Sequence, residues 1–422
     1  MTRLKRIACR GIALDRLIKL AALLLLVIGL AWNGLAAWRF LPRSGGDFAH
    51  FHAAARSVLE AHSPYAAGPG RASLDYPPLV PLFMAPLGAL DLGAAREAWL
   101  VLSLACLAAA ALCTWRWLGG SASAALAVAG TWTLAGTVQE NLGLGQMNPL
   151  ILLLLAAALL LAERRPGVAA ALVGVGAALK VWPGLLLAGW LGRVRALAVG
   201  VVAAAAGLVV AGLLLGALTP PPHLPQSAGY WMGSPAFLNA SVAAVAVRFT
   251  YPLSIEAAPR VLAEWQSATD AGYALDGRRA KVSLGVALAT LCLGLLALGR
   301  ASFWSNPEGR QWAIPSLVAL ALLASPISWY HYQICQLPAL AGLAWSAWQR
   351  RRAGTLLGLA LLTVLLTRGQ VLGALAQRTA LSPASMLLLP GLTIAGANLV
   401  LMILLLRRVR AASGEGDRVA LP

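Results

Sequence analysis

Ala177-Ala178-Leu179-Lys180-Val181-Trp182-Pro183 interrupts the apolar segment at 166–192, which Arg193-Val194-Arg195 follows. The reading of this stretch decides the topology. If the segment crosses a bilayer once, every later basic cluster changes side, and Arg350-Arg351-Arg352 and Arg407-Arg408-Val409-Arg410 face away from the cytoplasm. If it is two short helices turning at Lys180, those clusters share a side with Arg3 to Lys19, Arg116, Arg164-Arg165 and Arg193. That side then holds well over half of the 33 lysines and arginines, nearly all in short loops, where positive charge marks the cytoplasmic face. The second reading predicts about twelve spans with both termini cytoplasmic. Lys180 then sits at the outward apex of a broken helical pair, a construction tolerated where protein or water surrounds it.

The composition agrees. The 422 residues are 59% hydrophobic and 11% charged, against roughly 25% charged in soluble domains. Apolar segments fall near 17–38, 98–118, 122–140, 148–162, 166–192, 196–218, 281–300, 311–329, 331–348, 354–372 and 384–406. Several are long enough to cross a hydrocarbon core as helices. A transmembrane barrel would instead show short alternating segments. The expected fold is therefore an all-α polytopic membrane protein, a single domain over 1–422. The loops at 39–97 and 219–280 are predicted to lie outside, the first carrying interfacial helices. The segment at 17–38 is too long for a signal-peptide core and reads as a retained span. The net charge of +18 sits at span ends, as orientation signals and lipid contacts do, which argues against nucleic acid. Five scattered cysteines give neither a metal spacing nor a disulfide framework.

In this topology the polar residues at span edges converge on the outer face. Asp47 heads Phe48-Ala49-His50-Phe51-His52-Ala53-Ala54-Ala55-Arg56, whose apolar spacing predicts a helix lying in the interface. It reads either as that helix's N-cap after Gly45-Gly46 or as an acid performing chemistry at the membrane surface. Asp75-Tyr76-Pro77-Pro78-Leu79 opens an apolar segment too short to span, and reads either as another interfacial element or as proline turns alone. Gln146 and Asn148 begin an apolar span, either as helix caps or, with Gln139-Glu140-Asn141 opposite, as a polar cluster that needs internal partners or a polar ligand. Lys180, fixed between apolar flanks, is placed either to set topology or to neutralise a phosphate. His331, in Trp329-Tyr330-His331-Tyr332, is either an interfacial belt residue or a general base.

Four stretches in order resemble glycosyltransferase family 87, the polyprenol-phosphate-dependent mannosyltransferases with the GT-C fold. They are Asp47 with Ser63-Pro64-Tyr65 and Tyr76-Pro77-Pro78-Leu79; Gly145-Gln146-Met147-Asn148-Pro149-Leu150; Gly174 to Pro183; and Ser325-Pro326-Ile327-Ser328-Trp329-Tyr330-His331. The family often has a second histidine where this chain has Tyr332. The resemblance implies a cofactor- and metal-independent transferase that moves a hexose, most often mannose, from a polyprenyl-phosphate donor to a glycolipid or glycan hydroxyl, with inversion. It also implies work in the inner membrane of a bacterium, with the site facing outward and membrane lipids as neighbours. Asp47 and His331 are then the candidate catalytic residues, Asp47 as general base or as the group that orients the acceptor. Lys180 is the candidate donor-phosphate ligand, with Arg71, Arg248 or Arg368 assisting. Gln146, Asn148, Tyr76, Asp75, Trp329, Tyr330 and Glu140 complete the expected substrate-binding set. The competing expectations are a multi-span transporter or lipid-linked sugar flippase, a non-catalytic assembly subunit, and an oligosaccharide ligase.

Overall fold

The computed structural model describes residues 2–44, 46–65, 74, 76–218, 241–248, 277–300, 307–325, 328–368 and 383–412. The predicted Arg71 and Asp75, most of the 219–280 loop and the Arg248 side chain lie outside them. The chain runs α1 (Thr2–Ser44), α2 (Gly46–Leu59), α3 (Leu79–Gly88), α4 (Leu92–Trp117), α5 (Ala122–Leu134), α6 (Gly136–Leu144), α7 (Asn148–Leu161) and α8 (Pro166–Leu179). A 3₁₀ helix, Trp182–Trp190, leads to α9 (Val194–Leu218), α10 (Val242–Arg248), α11 (Gly277–Arg300), α12 (Pro307–Gln311) and α13 (Ala313–Ala324). A second 3₁₀ helix, Tyr330–Gln336, runs into α14 (Leu337–Gln349), followed by α15 (Ala353–Thr367) and α16 (Pro383–Ala412). The fold is an all-α polytopic membrane architecture.

Five described helices are long and apolar enough to cross a bilayer, within α1, α4, α9, α11 and α16. Six shorter apolar helices, of 10–17 residues, stand among them. The long helices put apolar side chains outward: Leu17, Trp32, Leu213 and Leu293 are each at least two-thirds exposed. Such surfaces are stable only against lipid or another apolar partner. Some of the shorter helices arise where the sequence breaks an expected span. The segment at 166–192 is broken at Lys180, whose extended backbone ends α8, and the following 3₁₀ helix packs back against α8. Pro183 fits there because the first positions of a helix need no N–H donor. The segment expected at 122–140 is also two helices, because Ala135 takes an extended ψ of 104°. Gly136 then lies against Thr367 and Arg368, too close for a side chain.

Small residues let the interior helices approach. A Cβ on Gly174 of α8 would sit 2.2 Å from the Gly200 carbonyl oxygen of α9, the close backbone contact on which helix association in lipid depends. Helix α2 buries Phe48, Phe51, His52, Ala55 and Val58, a helical face repeating at three and four residues. His52 Nε2 lies 3.0 Å from the Leu90 carbonyl oxygen, and a Cβ on Gly88 would meet the backbone of Ala55, so α2 is fastened to α3. At the other end of the bundle Glu163 pairs with Arg193 at 2.7 Å and Arg310 at 3.2 Å. Partial burial opposes the charge of Glu163, but those hydrogen bonds and charges outweigh it and hold its carboxyl below the usual 4.5.

Candidate active site

The site is built on two turns that touch. Helix α6 ends at Gly145, in the left-handed conformation with φ 67°. Gln146 N–H donates to the Asn141 carbonyl at 2.9 Å and Gly145 N–H to that of Leu142 at 3.2 Å. This bond pair defines a Schellman termination. Asn148 then starts α7, with Pro149 in its first turn. Against this turn lies the start of α2, where Gly46 is also left-handed, at φ 52°. A Cβ on Gly145 would fall 2.5 Å from Phe48 Cβ, and one on Gly46 would fall 3.0 Å from the Leu144 carbonyl oxygen. Trp99 completes the junction by donating Nε1–H to the Gly145 carbonyl at 2.9 Å and stacking on Phe48.

This junction delivers Asp47 to Gln146. The helix begins at Gly46, so Asp47 sits inside its first turn rather than at the cap position. Its carboxylate accepts a hydrogen bond from Gln146 Nε2. The Gln146 oxygen in turn accepts from the Tyr76 hydroxyl at 3.3 Å, and the Tyr65 hydroxyl donates to the Tyr76 carbonyl at 3.0 Å. Burial raises the Asp47 carboxyl above the ordinary 3.8; the Gln146 bond and the charges of His50 and Lys180 offset part of that rise. The shift follows the rule that desolvation disfavours a charged carboxylate.

Two residues after Gln146, the same turn supplies the partner of Lys180. Lys180 Nζ donates to Asn148 Oδ1 at 2.8 Å, and Asn148 Nδ2 donates to Asn141 Oδ1 at 2.8 Å. Asn141 Nδ2 donates onward to the His331 carbonyl at 2.8 Å and the Thr137 carbonyl at 2.7 Å. Lys180, Asn141, Gln146, Asn148 and His331 are all buried. The Lys180 ammonium also lies over the Tyr332 ring, 3.7 Å from its centroid, and 5.5 Å from that of Tyr76. His331 rides on the 3₁₀ helix Tyr330–Gln336 with its ring parallel to Trp329, and its Nε2 is buried with no hydrogen-bond partner among the described residues.

Asp47, Gln146, Tyr76, Lys180, Asn148 and His331 are thus brought into one polar assembly, and Trp329 and Tyr330 flank His331. Glu140 is half-buried in α6 beside it. Arg368 lies at the end of α15 against Gly136. Two members lie outside the expected catalytic and substrate-binding set: Asn141, named in the sequence only as part of the polar cluster facing Gln146, joins the lysine's amide to the His331 backbone, and Tyr332, named only as a departure from the family, covers the ammonium. The signal for the former is its place in the polar cluster at a span edge, whose groups need internal partners, and Asn141 finds one in the Thr137 carbonyl one helical turn back. Among the described residues no group of three His, Cys, Asp or Glu gathers as a metal set.

Fold and assembly together define a polytopic membrane protein built around a buried, charged, amide-lined site. The chain belongs to glycosyltransferase family 87, whose sequence model matches residues 74–326, and it is a membrane glycosyltransferase. The match contains Tyr76, Glu140, Gln146, Asn148 and Lys180; Asp47 and His331 lie beyond its ends. Among curated proteins and solved structures, none matches this chain.

Proposed function

We propose that the protein transfers a hexose, mannose in the first instance, from a polyprenyl-phosphate donor to a hydroxyl of a glycolipid or glycan on the extracytoplasmic side, with inversion. The observation that carries this reading is that one turn, Gly145 to Pro149, holds both an acid and a cation: Gln146 binds Asp47 and Asn148 binds Lys180. Glycosyl transfer needs that pairing. The acceptor oxygen attacks the anomeric carbon while its proton passes to the Asp47 carboxylate. The bond from that carbon to the phosphate oxygen breaks, and its electron pair leaves with the polyprenyl phosphate, whose charge Lys180 neutralises. A carboxylate with a raised pKa is a better base than an ordinary one. The lipid tail of such a donor stays in the bilayer while its head reaches the outer ends of α7 and α8. The outward orientation rests on the basic clusters at the other ends of the spans.

A second assignment gives the proton to His331, with Asp47 orienting the acceptor; the unpartnered Nε2 favours it. Membership of a transferase family favours an enzyme over a transporter or a scaffold subunit. The test is to incubate the purified protein in nanodiscs with polyprenyl-phosphate mannose and native membrane lipids, and identify the product by mass spectrometry. Transfer that Asp47→Asn abolishes and Lys180→Ala weakens through the donor KM is expected. Donor lipid that is moved but never consumed defeats the reading. Full activity of Asp47→Asn together with loss in His331→Ala shifts the base to histidine.

A further inference from the structure

Lys180 carries three N–H donors, and among the described residues only one meets a conventional acceptor, Asn148. Among the described residues no carboxylate lies within ion-pair distance of it. The lost hydration of a buried ammonium is costly unless something replaces it. Here the replacement is an aromatic face: the nitrogen lies 3.7 Å from the Tyr332 centroid, well inside the roughly 6 Å at which a ring quadrupole attracts a cation. Tyr332 is itself buried, at 8% exposure, so water does not screen the contact.

The placement of that ring is not incidental. The chain of amides from Lys180 through Asn148 and Asn141 ends on the carbonyl of His331, the residue directly before Tyr332. The contacts therefore close a circuit, in which the lysine's own hydrogen-bond chain holds the backbone that lays the ring over the lysine. We propose that Tyr332 is a positioning residue for the donor phosphate, its ring face holding the Lys180 ammonium in place at the site while the remaining donor is presented to the phosphate oxygens. The inference rests on the reading of Lys180 as the phosphate ligand and adds the residue that makes it one. Tyr76, at 5.5 Å, contributes less through its ring and is occupied in holding Gln146.

The test uses the full-length protein in nanodiscs and polyprenyl monophosphate, the leaving group alone, so that the identity of the sugar does not enter. Position 332 is replaced by phenylalanine and by its mono-, di- and trifluorinated analogues, which keep nearly the same shape while draining charge from the ring face. The dissociation constant for the phosphate is expected to rise stepwise along the series, reaching about tenfold to thirtyfold over phenylalanine at three fluorines. Packing alone predicts a flat series. A flat series with binding that still depends on Lys180 overturns the role of Tyr332 and leaves the lysine's role standing. Binding that is unchanged in Lys180→Ala, or that is absent from the unsubstituted protein, overturns the donor reading and the inference together.

Discussion

Replacing Gly145 by alanine should separate the acid from its amide without touching either. Two penalties combine. The left-handed conformation at φ 67° costs a residue with a Cβ about 1–2 kcal/mol. The new methyl would stand 2.5 Å from Phe48 Cβ, and relief of such overpacking costs roughly 1–3 kcal/mol. The sum, about 2–5 kcal/mol, is met by moving the turn or the start of α2. Either movement shifts Gln146 against Asp47, and a displacement near 1 Å at a reacting group lowers turnover about a hundredfold. Gly143 is the internal control, two residues earlier in the same helix, with nothing within 4 Å of its would-be Cβ. Alanine there should be stabilising by roughly 0.5–1 kcal/mol and leave turnover intact. The assay is the half-life of transfer activity at fixed elevated temperature in detergent, with initial rates in nanodiscs. If Gly145→Ala is as long-lived and as active as Gly143→Ala, the account of the two touching turns is wrong.

Other outcomes follow from the same geometry. Gln146→Leu removes a hydrogen bond that lowers the Asp47 pKa. The deprotonated acid is then lost at higher pH, so the acid limb of the rate–pH profile should move upward; an unmoved limb would take Asp47 out of the base's role. Asn141→Leu strands the Asn148 amide and the His331 carbonyl in a buried site, at about 1–3 kcal/mol for each unsatisfied group; faster thermal inactivation should accompany slower transfer. Glu163→Gln should change stability by no more than about 1 kcal/mol, because its ion pairs are about a third exposed, and should leave transfer untouched. The small contribution of Glu163 has a definite sign: its folded pKa is lowered, so the stabilisation is present above 4.5 and is lost as pH falls through the folded value.

The break at Lys180 was legible because a charge and a proline in an apolar run are costly unless the helix stops, and α8 does stop there. The helix behind Asp47 was legible from its spacing, and the short segment after Pro78 proves to be α3. The bend at Ala135 was not, because no local signal marks it: Gly136 is drawn against Thr367 and Arg368, more than two hundred residues away. The site divides in the same way. Asp47, Gln146, Lys180 and His331 advertise themselves as polar groups in apolar surroundings. That Gln146 serves the acid while Asn148 serves the lysine depends on which way a turn presents two amides, and a tertiary contact sets that.

The paired glycines have a consequence for timing. Gly46 lies against the Leu144 backbone and Gly145 against Phe48, and Trp99 bolts the junction through the Gly145 carbonyl. The segment bearing the acid and the segment bearing its amide therefore touch with no room for a side chain at either glycine. Asp47 and Gln146 are joined by the fold itself, not by the lipid-linked donor proposed to bind beside them. The amide that lowers the pKa of the acid is thus set in place by folding, and no part of the energy of binding the proposed donor is needed to place it.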